Sequence, residues 1–191
     1  HAVDVAADDH HGADLGDPET GLARAAQSLG VRIHGASAVS SVENRNGRWQ
    51  LRTAVGELEA DQVVVAGGGY LQGLVPPLQR AVLPIATYVA VTEPLVQDAI
   101  RTRSAISDSR RAGNYYRLVD QGRLLWGGAI TTRVSEPLRL ASRMQRDMVS
   151  VYPQLGNPRI DFAWSGIMGY ARHFMPLIGT DGHGQWWATA F

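Results

Sequence analysis

The sequence predicts an α/β fold in two parts, and three observations carry that expectation. The run Asp61-Gln-Val-Val-Val-Ala-Gly-Gly-Gly-Tyr70 reads as a strand that passes straight into a glycine turn. Upstream, a helical stretch opening at Asp17-Pro18 leads within a short spacing into an apolar strand at 31–34, the alternation that builds α/β layers. Downstream of Pro76-Pro77, a pair that punctuates the chain, strand follows strand, which predicts an antiparallel sheet.

Residues 2–6 alternate weakly and end in the polar run Asp8-Asp-His-His-Gly12, a turn expected to lead into a second short strand. Asp17 suits a helix cap and Pro18 the first helical position. Leu22, Ala25, Ala26 and Leu29 then share one helical face, and Gly30 is a fitting stop. Asn46-Gly47, between strands expected at 39–43 and 48–52, is a strong hairpin signal because both residues accept positive φ. Residues 57–60 are expected to continue this meander into the Val63 strand. Val63, Val64 and Val65 are β-branched in succession, the pattern of a central strand covered on both faces. Gly67, Gly68 and Gly69 then remove every Cβ that would hold a ligand away from the backbone amides. A strand-end turn of this kind is a common seat for a nucleotide.

Beyond the prolines, strands are expected at 85–92, 114–119 and 123–128, the last two joined by a turn at Asp120-Gln-Gly122. A helix is expected from Glu136 to Val151, capped by Ser135, with Leu140, Met144, Met148 and Val151 as its inner stripe. Strand-like sequence returns at 160–164 and 185–191, either side of a loop rich in Gly and Pro.

Composition narrows the function. A chain of 191 residues can bury a real core. Lys+Arg and Asp+Glu are both 18, so there is no electrostatic footprint for nucleic acid or an anionic membrane. No apolar run approaches the roughly 20 residues of a membrane helix. With no cysteine, disulfides, thiolate metal sites, cysteine nucleophiles and cysteinyl cofactor links are excluded. The start, His-Ala-Val-Asp, has neither an initiator Met nor a signal peptide, and Gln185-Trp-Trp-Ala-Thr-Ala-Phe191 stops as an apolar strand. Both ends are expected to be cut, which makes this an internal segment of a longer protein, with the cytoplasm as default location.

Side chains with metal-ligand chemistry do not converge in sequence. Asp8, Asp9, His10 and His11 are adjacent and read as a solvated turn, while His34, His173 and His183 lack paired spacing, so no metal site is expected. Trp126, Trp164, Trp186 and Trp187 read as packing residues. Tyr88, Tyr115 and Tyr116 are candidates for a pocket on the antiparallel sheet, where alternation puts about half of them on either face. Ser and Asp show no nucleophile elbow, which leaves a hydrolase without support.

Five segments, taken in order, point to a family. They are Gly21-Leu-Ala-Arg-Ala-Ala…Gly30-Val-Arg-Ile-His34, Asp61-Gln-Val-Val-Val-Ala-Gly-Gly68, Val91-Thr-Glu-Pro-Leu95, Gly122-Arg-Leu-Leu-Trp-Gly-Gly128, and Trp164-Ser-Gly…Met175-Pro-Leu-Ile-Gly179. Together they resemble the FAD-dependent oxidoreductases of the D-amino acid oxidase superfamily, above all its glycine/sarcosine oxidase and γ-glutamylputrescine oxidase branch. The resemblance implies a glutathione-reductase-like, three-layer FAD-binding portion at 17–80 and 160–191 that lacks its first βαβ. Interleaved with it would be an antiparallel substrate domain at 1–16 and 81–159. It implies FAD as cofactor, non-covalent with respect to this cysteine-free chain, and flavin-dependent oxidation of the C–N bond of a small-molecule amine. The backbone of Val39 would meet the adenine, and Ala66, Gly67, Gly68 and Tyr70 would contact the cofactor. Tyr115, Tyr170 and Arg172 would lie near the flavin and the amine. No catalytic residue is named, since an amine bound unprotonated needs no dedicated base.

Departures from the family's pattern are as informative. The G-x-G-x-x-G that holds the pyrophosphate is absent: Gly67 and Gly69 have its first spacing, but position 72 is Gln. The family's closing glycine turn would begin beyond Phe191, so this segment alone is not expected to hold FAD. Relatives that oxidise α-amino acids carry Arg two residues after the Gly of Trp-x-Gly, to pair the carboxylate. Here that position is Met168, with Arg172 four residues on, which favours an amine without a carboxylate beside the reacting carbon. His173 stands where many relatives have Asp. Two alternatives remain: a non-catalytic remnant or subunit that binds a partner, and a nicotinamide-dependent dehydrogenase, which needs the same absent motif.

Overall fold

A computed structural model describes residues 4–6, 18–95, 100–102, 104–110, 113–135 and 137–191. The expected turn at 8–12, the strand after it, the Asp17 cap and Glu136 lie outside the described residues. The elements in order are β1 (Asp4–Ala6), α1 (Pro18–Ser28), β2 (Arg32–His34), β3 (Val39–Arg45), β4 (Arg48–Thr53), β5 (Glu57–Ala60) and β6 (Val63–Val65). There follow α2 (Pro76–Ala81), β7 (Val82–Pro94), β8 (Ile106–Ser107), β9 (Tyr115–Val119), β10 (Arg123–Thr131), α3 (Leu140–Val151), β11 (Ile160–Ala171), β12 (Leu177–Thr180) and β13 (Gln185–Thr189). The chain forms two units. The first comprises the described residues up to Val65, with Gln72–Gln79 and Ile178–Ala188; the second comprises Ala66–Leu71, Arg80–Leu177 and Thr189–Phe191. These bounds differ from the expected division chiefly at 66–71, at 160–177 and at the described residues 4–6, which join the first unit through β2 instead of the expected substrate domain.

In the first unit, β1 and β2 pair in parallel, and α1 precedes β2 as the sequence predicts. Helix α1 opens at Pro18, whose missing N–H costs nothing there. It ends at Gly30, whose φ of 91° carries the chain out of the helix. Its apolar face is uncovered: Leu22 is 74% and Leu29 86% exposed. The hairpin forms where expected, with Asn46 at φ 53° and Gly47 at φ 84°, the left-handed pair that a two-residue turn between twisted strands requires. Strands β3, β4 and β5 make an antiparallel meander, but it stops at β5. Strand β6 belongs to another sheet, ordered β12-β13-β6, and pairs in parallel with β13, Val63 against Gln185 and Val65 against Trp187. Coverage of both faces of β6 is also overturned. Val63 and Val65 are buried, but Val64 is 64% exposed, because adjacent side chains point to opposite faces and only one is covered.

The second unit is built on an antiparallel sheet ordered β11-β7-β10-β9-β8. Helix α3 packs on one face, where Leu140, Met144 and Met148 meet Tyr88, Ala90, Leu124 and Trp126, all buried. Tyr116 stacks on Trp126 with centroids 4.5 Å apart, and Tyr152 sets its edge against both. Such pairs add about 0.5–1.5 kcal/mol each to the burial term. The helix begins four residues later than expected: Arg139, at φ 63°, stands as its N-cap residue in place of Ser135. A left-handed residue there ends any right-handed helix upstream. Val151 is 39% exposed and drops out of the inner stripe. Strand β11 runs seven residues past the expected 160–164, since Gly166 and Gly169 disguise its second half, and β12 lies in what reads as a loop.

Candidate functional site

Alternation sorts the second unit's sheet into two faces. Tyr88 and Tyr116 go to the α3 face and are buried, whereas Tyr115 goes to the other face and is 39% exposed. Cross-strand register groups that second face into rows. One row joins Tyr115, Gly127, Val89 and Trp164; the next, towards the β9 turn, joins Arg117, Leu125, Val91 and Phe162. In the opposite direction Thr87 lies beside Gly166, then Ile85 beside Met168, then Leu83 beside Tyr170. Trp164 and Phe162 are 39% and 59% exposed, so the face presents an open aromatic floor.

Gly127 is what lets Tyr115 lie on that floor. A Cβ at position 127 would stand 2.6 Å from the Tyr115 hydroxyl oxygen and closer still to the ring. The ring therefore leans from β9 across β10. Beyond it, nothing lies within 4 Å of a Cβ built on Gly166. The Thr87 side chain is buried and its hydroxyl meets no partner among the described residues.

The glycine turn after β6 docks on β11 within this same unit. Gly68–Tyr70 form one turn of 3₁₀ helix, closed by the Tyr70 N–H donating to the Gly67 carbonyl at 2.9 Å. The N–H of Ile167 donates to the Tyr70 hydroxyl at 2.8 Å, which satisfies a backbone group of edge strand β11. Gly69 is small for packing: its Cβ would meet Ile167 Cγ2 at 2.5 Å and the Met168 carbonyl oxygen at 2.9 Å. Gly68 has φ 54° and open space around a Cβ, and the N–H groups of Gly67 and Gly68 donate to nothing among the described residues. Free amides at a strand end, with a glycine that keeps the approach clear, fit a polar group of a nucleotide.

The structure thus seats the turn of Gly67, Gly68 and Tyr70, which Ala66 leads into, on β11 at Ile167–Gly169, but it does not gather all the expected substrate residues. Tyr170 shares the open face with Tyr115, yet it is six residues along the strand from the Tyr115–Trp164 row, about 20 Å at some 3.4 Å per residue. Tyr170 sets its ring edge-on to Phe174 at 6.1 Å. Arg172 lies exposed in the turn after β11. In that turn the Met175 N–H donates to His173 Nδ1 at 3.1 Å, so His173 braces the loop. Val39 opens β3 in the first unit, opposite Thr53. Sequence reasoning missed Thr87 and Gly127, since a face of a sheet is defined only once its register is known.

Residues 10–191 match the FAD dependent oxidoreductase family DAO, and the chain belongs to it. It is 31% identical over 164 residues to γ-glutamylputrescine oxidoreductase of Escherichia coli, covering 83% of this chain and 38% of that protein. To the probable oxidoreductase OrdL of Rhizobium meliloti it is 28% identical over 177 residues, 86% of this chain and 41% of the relative. The fold matches a crystal structure of glycine oxidase from Geobacillus kaustophilus with a TM-score of 0.74 at 19% identity, over 90% of this chain and 47% of that one. The chain spans about two fifths of the length of the curated relatives it matches. The α/β fold and the family that the sequence implies both stand. No described helix is long and apolar enough to cross a membrane.

Proposed function

We propose that the full-length protein is a cytoplasmic, FAD-dependent oxidoreductase acting on the C–N bond of an amine that bears no carboxylate at the reacting carbon. The observation that carries the reading is the glycine turn fixed to β11 beside Met168, at the border of an open aromatic sheet face. Bound FAD would accept the hydride equivalent released from the amine carbon. Gly67 and Gly68 offer it backbone amides, Ala66 and Tyr70 flank it, and Val39 contributes its backbone at the adenine. The flavin is held non-covalently, in keeping with a chain that has no cysteine. We assign 17–80 and 178–191 to the cofactor, and 81–177, whose antiparallel sheet carries Tyr115, Trp164 and Met168, to the substrate. We assign Tyr115 to the neighbourhood of the amine, and Tyr170 and Arg172, about 20 Å and more farther along β11, to the side of the site nearer the flavin. The uncharged Met168 makes pairing with a carboxylate unavailable there, which disfavours small α-amino acids. The likeness to a γ-glutamylputrescine oxidoreductase supports the same substrate class.

The test is kcat/KM of the full-length enzyme for putrescine-type amines against glycine, sarcosine and D-alanine. Amines are expected to win, and Met168→Arg to lower amine turnover by about tenfold or more, by placing an unpaired charge against the floor. Faster turnover of the small amino acids by the unmodified enzyme would show that another residue, Arg172 foremost, holds a carboxylate.

A further inference from the structure

We infer that Gly166 is a specificity-determining residue: its bare backbone floors a slot across β11 that seats the alkyl chain of the amine. The inference rests on the amine-oxidising reading above and deepens it. Glycine weakens a strand interior, so its presence there marks either a packing demand or the close approach of another group. Packing accounts for the other glycines of the described strands. A Cβ at Gly127 or Gly128 would collide with Tyr115 or Asn114, one at Gly169 would stand 2.8 Å from Val82 Cγ1, and one at Gly179 would stand 2.9 Å from the Trp187 ring. Gly166 answers to no such demand. Its φ lies outside the left-handed region, and a Cβ there would meet nothing within 4 Å. Alanine would suit the strand better, and glycine keeps the space above it open.

The surroundings say what that space accepts. Trp164 and Met168 stand two residues to either side of Gly166 on the same face, their Cα atoms about 14 Å apart. On β7 the floor continues with Thr87, which is buried and lies between Ile85 and Val89 on that face. At the outer edge of β11 is Tyr70, whose hydroxyl accepts the Ile167 N–H. The slot therefore begins beside the turn assigned to the flavin and crosses the strands instead of following them. An indole, a thioether, alkyl groups and one hydroxyl line it, with no charge among them. Such a lining favours methylene groups, whose apolar surface it removes from water, and offers no counterion to an ammonium or a carboxylate. A chain laid here rests on the Gly166 Cα, and a methyl group added at that atom displaces it.

The experiment follows anaerobic flavin reduction in the full-length enzyme and its Gly166→Ala variant by butylamine, methylamine and putrescine. The concentration dependence resolves the dissociation constant from the limiting rate. We expect the wild type to prefer butylamine over methylamine by about tenfold or more, and Gly166→Ala to lower that preference by about tenfold, chiefly through weaker binding. The variant should keep its flavin content and absorption bands, with a thermal midpoint no lower than that of the wild type. A lower midpoint would return the glycine to the needs of the strand, and lost flavin or shifted bands would put the cofactor over Gly166; either result overturns the inference. So does a wild type indifferent to the chain, a variant with the wild-type preference, or reduction by putrescine where neither monoamine reacts. Each of these leaves the amine-oxidising reading standing, whereas failure of all three amines to bleach the wild-type flavin overturns both.

Discussion

Replacing Gly127 by Ala isolates the seat of Tyr115. In most strands this change is favourable by roughly 0.5–1 kcal/mol, since Gly loses more conformational freedom on folding than Ala. Here the added Cβ collides with the Tyr115 ring and lies 2.6 Å from its hydroxyl oxygen, so the ring must lift off β10. Tyr115 is 39% exposed. Covering about six tenths of a roughly 200 Å² side chain is worth up to about 3 kcal/mol at some 25 cal/mol per Å². Allowing for the Ala gain and for partial reburial, Gly127→Ala should destabilise by about 1–2 kcal/mol and lower the thermal midpoint by about 2–5 °C. In a Tyr115→Ala background the collision is gone and the same change should be neutral or stabilising, an inversion of sign that a double-mutant cycle reads directly. Amine kcat/KM should fall in Gly127→Ala to the level of Tyr115→Ala, because both withdraw the ring from the floor. If Gly127→Ala is equally costly with and without the Tyr115 ring, the steric argument fails.

Two further outcomes concern the second unit's core. Thr92 is fully buried, its Oγ1 accepting the Leu124 N–H at 2.9 Å and donating to the Glu93 carbonyl at 2.7 Å. Thr92→Val should therefore cost about 1–3 kcal/mol in denaturant titration, by orphaning a buried N–H, and a cost under 0.5 kcal/mol would contradict the bond. Burial, with the Tyr116 hydroxyl beside it, pushes the Tyr152 phenol up to about 12. The folded state therefore holds that proton more tightly than the unfolded chain, whose phenol titrates near 10. The stability so gained is fully present below pH 10 and is lost as pH rises towards 12. Tyr152→Phe should flatten that alkaline decline, and an unchanged pH profile would assign the decline elsewhere.

What was legible in the sequence is what local chemistry decides. Asn46-Gly47 fixed a hairpin because few residue pairs accept two positive φ values in succession. Leu140, Met144 and Met148 announced the covered face of α3 by their spacing of four. The triple valine and triple glycine marked a strand and a turn. The partners of these elements were not legible. Val64 looks like a buried residue until the register shows β6 with one bare face. The Gly166–Ala171 stretch reads as loop because its glycines suppress strand propensity, although β7 supplies eleven paired positions opposite β11. Arg139 gave no sign of its left-handed backbone, so α3 was expected to begin too early. Tyr115 was separable from Tyr88 and Tyr116 in principle, since adjacent residues face opposite ways, but which of them faced the helix depended on long-range pairing.

Strand β11 presents two faces and an edge, and on the proposed reading these serve different ends. Its Ile167 N–H donates to Tyr70, and Gly68 and Gly69 pack on the Ile167 side chain and the bare Gly169, so the turn assigned to the cofactor is positioned by the strand edge and by residues of the face turned away from Met168. Ile167 and Gly169 point to one face and Gly166, Met168 and Tyr170 to the other, so the residues assigned to substrate choice are independent of those bonds. An Arg or a Met at position 168 leaves the Tyr70–Ile167 bond intact while changing what the open face accepts. On the proposed reading, substrate choice falls to the side chains of one face of the sheet, and the turn assigned to the cofactor is held by the strand edge and the opposite face.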